Sequence, residues 1–206
     1  MKIKFLKTIF LLGLITSSLT SCVGDDDYVI PTVYSYAFNE GFETSTTGSG
    51  SNEVAISLTG WINYNATATR LWHARTFSNN IYAEFSSFYS ATGTNDVAWL
   101  ITPAIDLTAT SGEILSFNTK TRYSNGYPLT AFISTNYNGT TAGIATATWT
   151  PLTFTTPTAD DVFVNSGNID ISAFESNNVR IAFKYTGSKS GVTTTCQLDN
   201  IKITKN

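Results

Sequence analysis

The stretch Ile114–Thr135, ILSFNTKTRYSNGYPLTAFIST, carries two strand patterns, Ile114–Tyr123 and Leu129–Thr135, separated by Ser-Asn-Gly-Tyr-Pro. Gly and Pro punctuate the run, so the five residues read as a hairpin-like connection. The same pattern of short strand and turn extends in both directions. Upstream, Tyr34, Tyr36 and Phe38 alternate with small or polar residues as a half-buried strand does, and Thr44–Asn52 is a loop by composition. Ser57–Tyr64 turns at Gly60, Leu71–Phe77 and Ile81–Phe85 flank Asn79-Asn80, and the continuous apolar Val97–Ile101 is closed by Pro103. Downstream come Trp149–Phe154, Val162–Val164, Val179–Tyr185 and Thr193–Thr204, with Ala173–Ser176 the best helical candidate. About ten to twelve short, evenly spaced strands predict an all-β fold, a jelly-roll β-sandwich of two antiparallel sheets.

Composition agrees. Charged residues make up only 13% of the chain, while Thr, Ser, Asn, Tyr and Phe are abundant and suit pleated, half-buried surfaces. Three of the twelve basic residues, Lys2, Lys4 and Lys7, precede the apolar run Ile9–Ile15. That run is too short to span a bilayer and reads as a secretory signal over residues 1–21. Leu19-Thr20-Ser21-Cys22 resembles a bacterial lipobox, which implies a lipidated Cys22 as the first mature residue and as the membrane partner. Asp25–Asp27 resembles the acidic tag that sends lipoproteins of one group of Gram-negative bacteria to the outer face of the outer membrane. The expected organisation is therefore a signal at 1–21, a lipidated acidic leader at 22–32 and one sandwich domain at 33–206. From Cys22 onward nine basic residues face fifteen acidic ones, a net charge of −6, which argues against a nucleic-acid partner. With Cys22 taken by lipid, Cys196 stands alone and reads as a buried structural thiol.

Catalytic signals are absent from the sequence. His73 is the sole histidine, and it lies inside a strand pattern, where a packed or surface histidine is the ordinary case. No nucleophile elbow, P-loop, dinucleotide glycine motif or zinc spacing occurs, and no carboxylate pair is singled out by spacing. The expectation is a protein that is not an enzyme. Two acids do conflict with the strand pattern. Period-two alternation puts Glu40 on the face of Phe38 and Phe42, and Asp199 on the face of Ile201 and Ile203. A buried carboxylate without a partner is strongly destabilising. A calcium ion held by Glu40, Glu43 and Asp199 would resolve the conflict, as would a bulge at Gly41 with Asp199 capping a turn.

The ordered set FNEGFE, GW, NDVAWLITPAIDL, GYPLTAFISTNYNG, ATWTPL, VRIAFKYTG and QLDNIKI resembles the choice-of-anchor J jelly-roll family, related to gingipain adhesin-type domains and more distantly to MAM domains. The resemblance runs from Phe38 to Ile203 and implies a jelly roll with structural calcium at Glu40, Glu43 and Asp199. No D-x-D-x-D-G loop follows Gly60-Trp61, which speaks against a second calcium site. The function expected is a non-catalytic cell-surface lipoprotein of the outer membrane, a binding or adhesion module for a polysaccharide. Tyr123, Tyr127, Tyr137 and Trp72 are the candidate sugar-stacking residues. Trp61, Trp99 and Trp149, in strand patterns, are assigned to the core. The alternative is a structural or adhesive role, binding a protein partner in an outer-membrane complex.

Overall fold

The computed structural model describes residues 35–49 and 51–205; the expected signal at 1–21, Cys22 and the leader to residue 32 lie outside the described residues. The strands are β1 Ser35–Glu40, β2 Ile62–Asn65, β3 His73–Phe77, β4 Asn80–Phe85, β5 Asn95–Ile101, β6 Ile114–Arg122, β7 Leu129–Ser134, β8 Thr150–Leu152, β9 Val164–Asn165, β10 Ile169–Asp170, β11 Arg180–Ser188 and β12 Thr195–Lys205. A seven-stranded sheet runs β10-β6-β12-β4-β3, with β1 also beside β12 and β9 beside β6; a five-stranded sheet runs β2-β5-β11-β7-β8. The pairings are antiparallel throughout. The chain is thus the all-β sandwich that its strand spacing predicts.

Alternation decides which side of each strand is inside. In β6, Leu115, Phe117, Thr119 and Thr121 are buried, while Ser116, Asn118, Lys120 and Arg122 are half-buried on the other face. The inner faces meet through aromatic pairs: Phe117 with Phe183 at 4.9 Å and Phe85 with Tyr185 at 4.6 Å between ring centroids. Each fully buried Phe side chain contributes about 1.5–3 kcal/mol. Trp61 packs half-buried on Phe38 and Phe42 at one edge of this core. Cys196 is buried in β12, and removal from water pushes its thiol pKa up.

The connection Ser124–Pro128 is not a hairpin. β6 belongs to the seven-stranded sheet and β7 to the five-stranded one, so the chain crosses the sandwich there. The crossing is held from outside the segment. Asn125 Oδ1 accepts from Thr193 N at 2.9 Å and Thr194 N at 3.2 Å, and its Nδ2 donates to the Gly191 carbonyl at 2.9 Å. Those partners lie between β11 and β12, which also cross from one sheet to the other. The β6–β12 ladder in one sheet and the β7–β11 ladder in the other are therefore two halves of one ribbon, folded over at this corner. A Cβ at Gly126, whose φ is +150°, would come within 2.9 Å of Val192, so glycine is required where the two crossings touch.

Three further departures from the sequence reading have local causes. The turn before β4 centres on Ser78 and Asn79, at φ 52° and 62°, one residue earlier than Asn79-Asn80. Ala173–Ser176 is not helical; Phe174 N donates to the Ile171 carbonyl in a single turn. The strand β12 breaks register against β6 between Asp199 and Lys202, with Asn200 at φ 52°. That bulge inserts a residue and flips the parity. Leu198, Ile201 and Ile203 all enter the core, whereas Gln197 and Asp199 point to the opposite face of the sheet. Asp199 is consequently not on the Ile201 side, as uninterrupted alternation would have it.

Candidate functional site

The two outer faces of the sandwich have different fates. On the five-stranded sheet, Trp99, Ile101, Phe132 and Ala182 are covered by Tyr137, Ile144 and Trp149 from the segment that joins β7 to β8. Trp149 stacks 5.3 Å from Trp99 and 5.2 Å from Tyr137, and its Nε1 donates to the Ile144 carbonyl at 3.0 Å. That face is closed by a second apolar cluster.

The outer face of the seven-stranded sheet is polar, with His73, Tyr82 and Gln197 buried in it and open clefts beside them. The register places His73, Glu84, Gln197 and Lys120 in one row across β3, β4, β12 and β6. Gln197 Nε2 donates to Glu84 Oε2 at 2.7 Å. Glu84 Oε1 also lies 3.4 Å from His73 Nε2 and 3.5 Å from Arg75 Nε. Glu53, from the preceding loop, accepts from Arg70 Nε at 2.9 Å and sits 3.6 Å from His73 Nε2. Burial opposes the charge on Glu53 and Glu84. For Glu53 the Arg70 hydrogen bond, the His73 imidazole beside it and the charges of Arg70 and Arg75 outweigh it; for Glu84 the close His73 imidazole and the Gln197 hydrogen bond do, with the charge of Arg75. Both carboxyls are held below the usual glutamate value. The His73 side chain is only 1% exposed inside this network, so it braces the sheet and is shut off from solvent.

Aromatic rings rim the polar floor. Phe77, Tyr89 and Tyr123 are 70%, 72% and 74% exposed, large values for side chains of this size. They bound a cleft of about 370 Å³ whose floor includes Arg75, Tyr82, Glu84, Arg122 and Thr195. Tyr89 and Tyr123 also wall a neighbouring cleft of about 400 Å³ with Phe88 and Thr193. Arg122 lies 5.2 Å over the Tyr123 ring and Arg70 lies 5.4 Å over the Tyr89 ring, so cations fix both rings. The same face continues toward β1 as an open groove of about 590 Å³ beside Tyr36, Ser116, Lys202 and Thr204.

Of the sugar-stacking candidates named from sequence, Tyr123 alone stands on this face. Trp72 is fully buried, packed 5.7 Å from Phe85, with its Nε1 donating to the Ala98 carbonyl at 3.2 Å. Tyr137 is fully buried under Trp149. Neither has a ring face to offer. Tyr127 is exposed at the edge near Phe154 and lines a separate shallow cleft with Asp160; desolvation pushes its phenol pKa up. Phe77, Tyr82 and Tyr89 were missed. For Phe77 the available signal is parity, since it shares the face of His73 and Arg75 at the end of its strand; Tyr82 is buried on that same face and Tyr89 lies in a short turn, so parity marks neither as an exposed ring.

The three acids expected at calcium are not gathered into one set. Glu40, registered opposite the core residue Ile201, turns its carboxylate back to accept from Phe42 N at 2.6 Å. Phe42, at φ 61°, is the turn residue there, in place of a bulge at Gly41. Asp199 sits in the notch between the end of β1 and the start of β4. It accepts from Asn80 Nδ2 at 2.9 Å and from Asn200 N at 2.6 Å. Burial and the nearby Glu43 charge raise its pKa, against the opposing hydrogen bonds from Asn80 and Asn200. Among the described residues no group of three or more His, Cys, Asp or Glu side chains is placed to hold a metal ion. Asp199 and Glu43 remain as a buried-to-exposed carboxylate pair.

Fold and face together define a jelly-roll β-sandwich with one covered and one open, aromatic-rimmed outer surface. A family model described as a domain of unknown function, DUF5017, matches residues 62–205, and the chain belongs to that family. No curated protein sequence matches it. Among solved structures, the K1 and K3 cleaved adhesin domains of Lys-gingipain from Porphyromonas gingivalis W83 are similar, at 15% and 17% identity and a TM-score of 0.50 each. The match covers 82% of this chain and 98% and 99% of theirs. The CBM22-1 xylan-binding domain of Paenibacillus barcinonensis Xyn10C also matches, at 12% identity and a TM-score of 0.45, over 84% of this chain and 96% of that one. At these identities the likeness is one of fold.

The glutamate network generates a pH prediction. Carboxyls depressed in the fold stabilise it fully above their unfolded pKa, and that contribution is lost as pH falls through the folded one. The wild-type melting temperature should therefore drop on acidification below pH 4.5, the ordinary value for Glu84. Glu84→Gln should be less stable at neutral pH and show a shallower acid limb. Parallel acid limbs for the two proteins would contradict the assignment.

Proposed function

We propose that this domain is a non-catalytic surface binding module and that its ligand is a glycan held on the outer face of the seven-stranded sheet. The observation that carries the reading is the trio of exposed rings, Phe77, Tyr89 and Tyr123, around a hydrogen-bonding floor. A pyranose presents an apolar C–H face and a rim of hydroxyls. Exposed rings suit the first, and Arg, Glu and Thr groups on the floor suit the second. Burial of the sole histidine within an ion-pair network fits a binding role. So does a sandwich fold that cleaved adhesin domains share.

The test is a polysaccharide panel read by affinity electrophoresis and calorimetry. Tyr89→Ala and Tyr123→Ala should each weaken binding about tenfold, a loss of about 1.4 kcal/mol. Stability should change by no more than about 0.5 kcal/mol, since both rings are exposed. Retention of full affinity by the double variant would remove the face as the site. Failure of the whole panel, with capture of an outer-membrane protein that the double variant loses, would move the reading to a protein partner, which Tyr-rich and Arg-rich surfaces also suit.

The same proposal places the module on a membrane through lipidated Cys22, with Asp25–Asp27 directing it to the exposed side of the outer membrane. Cys22→Ser should release the protein from the membrane fraction. Quantitative retention that resists salt would dispose of the anchor.

Calcium is proposed at the Asp199–Glu43 notch as a structural ion that would offset the repulsion between these carboxylates. Its donor set would have to be completed by groups other than Glu40. Millimolar calcium should raise the melting temperature over that in chelator, through selective binding to the native state. Asp199→Asn should lose that response while still folding. Identical melts with and without chelator, and no metal in the purified protein, would leave Asp199 as the anchor of its bulge alone.

A further inference from the structure

Resting on the glycan reading, we infer that the open face contains a subsite for an acidic sugar, one bearing a uronate carboxylate or a sulfate ester, centred on Lys120 and Arg122. Both side chains belong to the outward row of β6. They line a cleft of about 240 Å³ with Phe77, Tyr82 and Asp161. Lys120 Nζ lies 4.6 Å from the Phe163 ring centroid and 5.4 Å from that of Tyr82. Among the described residues it has no carboxylate within ion-pair distance. Arg122 uses Nε on Asp161 at 2.6 Å. Its terminal nitrogens make no hydrogen bond to another described residue.

The lining of the cleft carries two cations, Lys120 and Arg122, against one acid, Asp161, with the Glu84 carboxylate also near enough to act on both cations, in a protein whose overall charge is negative. Burial and the Arg122 charge weigh against the protonated Lys120 and outweigh the opposing charges of Asp161 and Glu84, lowering its pKa. An anion between the two cations relieves that cost. The geometry suits it, because a compact ammonium and a planar guanidinium fork can share one carboxylate or sulfate group. Phe77, with most of its ring exposed, supplies the wall against which the apolar face of the same sugar rests. A neutral sugar could use that wall but would leave Lys120 without an ion-pair partner among the described residues. The net negative charge of the whole chain keeps the selectivity local, because long-range attraction for polyanions is absent.

The probes are polygalacturonate and alginate against their carboxyl-reduced forms, and dextran sulfate against dextran, titrated into the full soluble domain. At least one acidic polymer should bind about tenfold or more tightly than its neutral counterpart at low ionic strength. That advantage should shrink in salt. Lys120→Met keeps an apolar stem between Phe163 and Tyr82; it should erase most of the advantage and spare affinity for neutral glycan. Lys120→Arg should retain it. A preference for the carboxylate pairs identifies a uronate subsite, and one for dextran sulfate alone identifies a sulfate subsite. If neutral and acidic forms bind equally, or Lys120→Met weakens both to the same degree, the acidic subsite is wrong and the glycan reading stands. If no polysaccharide binds at all, here or in the wider panel, both fall.

Discussion

The fold hangs on the corner where two strand connections cross the sandwich side by side. Asn125 is the clasp. Its side chain and backbone bind residues Gly191–Thr194, so the connection leaving β6 and the one entering β12 cannot separate. Tyr185 reinforces the corner from within. Its hydroxyl donates to the Thr194 carbonyl at 2.9 Å and accepts from Ser87 N at 3.2 Å, and burial pushes its pKa up to about 12. Because antiparallel ribbons twist and bend as units, fixing this one corner sets where both ladders lie and brings Phe117 onto Phe183.

The corner also positions the candidate site. Tyr123 is the last residue before the crossing and is held at φ 54° by the fold-over. Ser124 N, next in the chain, donates to Asp160 Oδ2 at 3.0 Å. The ring is thereby aimed across β12 toward Tyr89, which the turn after β4 presents beside Phe88. Neither exposed ring gains anything from the core. Large exposed apolar groups clustered around polar residues mark interaction surfaces more often than chance placement. The closed face of the other sheet makes the contrast plain, since there Trp99, Tyr137 and Trp149 cover one another and present little to a ligand.

Buried polar groups elsewhere show how far the interior tolerates a carboxyl group when donors are supplied. Asp96 is fully buried, yet it accepts from Asn65 Nδ2 at 2.9 Å and from Ser87 and Ser90 hydroxyls at 2.6 Å each. Asp199 has two donors, but burial and its acidic neighbour Glu43 outweigh them and raise its pKa. A carboxylate surrounded by donors serves as a structural tie, and one facing another acid is a place where a cation gains most.

Strand number, strand spacing and sandwich class were legible in the sequence because alternation and turn residues are local signals. Residues such as Leu115 and Phe117 report their own face without reference to anything distant. The sequence also marked Cys196 as a buried thiol, while it left His73 as either a packed or a surface histidine. It could not tell a hairpin from a crossing at Ser124–Pro128, since both need the same turn-prone residues and differ only in what Asn125 binds some seventy positions away. It placed Asp199 on the wrong face because one inserted residue at Asn200 reverses the parity, and a bulge is imposed by the register between strands rather than by either strand alone. It offered Tyr137 as exposed because polar neighbours in sequence suggested a loop surface, and Trp72 although that residue lies inside the strand pattern Leu71–Phe77. Whether a ring in a loop is free or buried depends on which sheet face that loop folds over, and only the tertiary structure decides that.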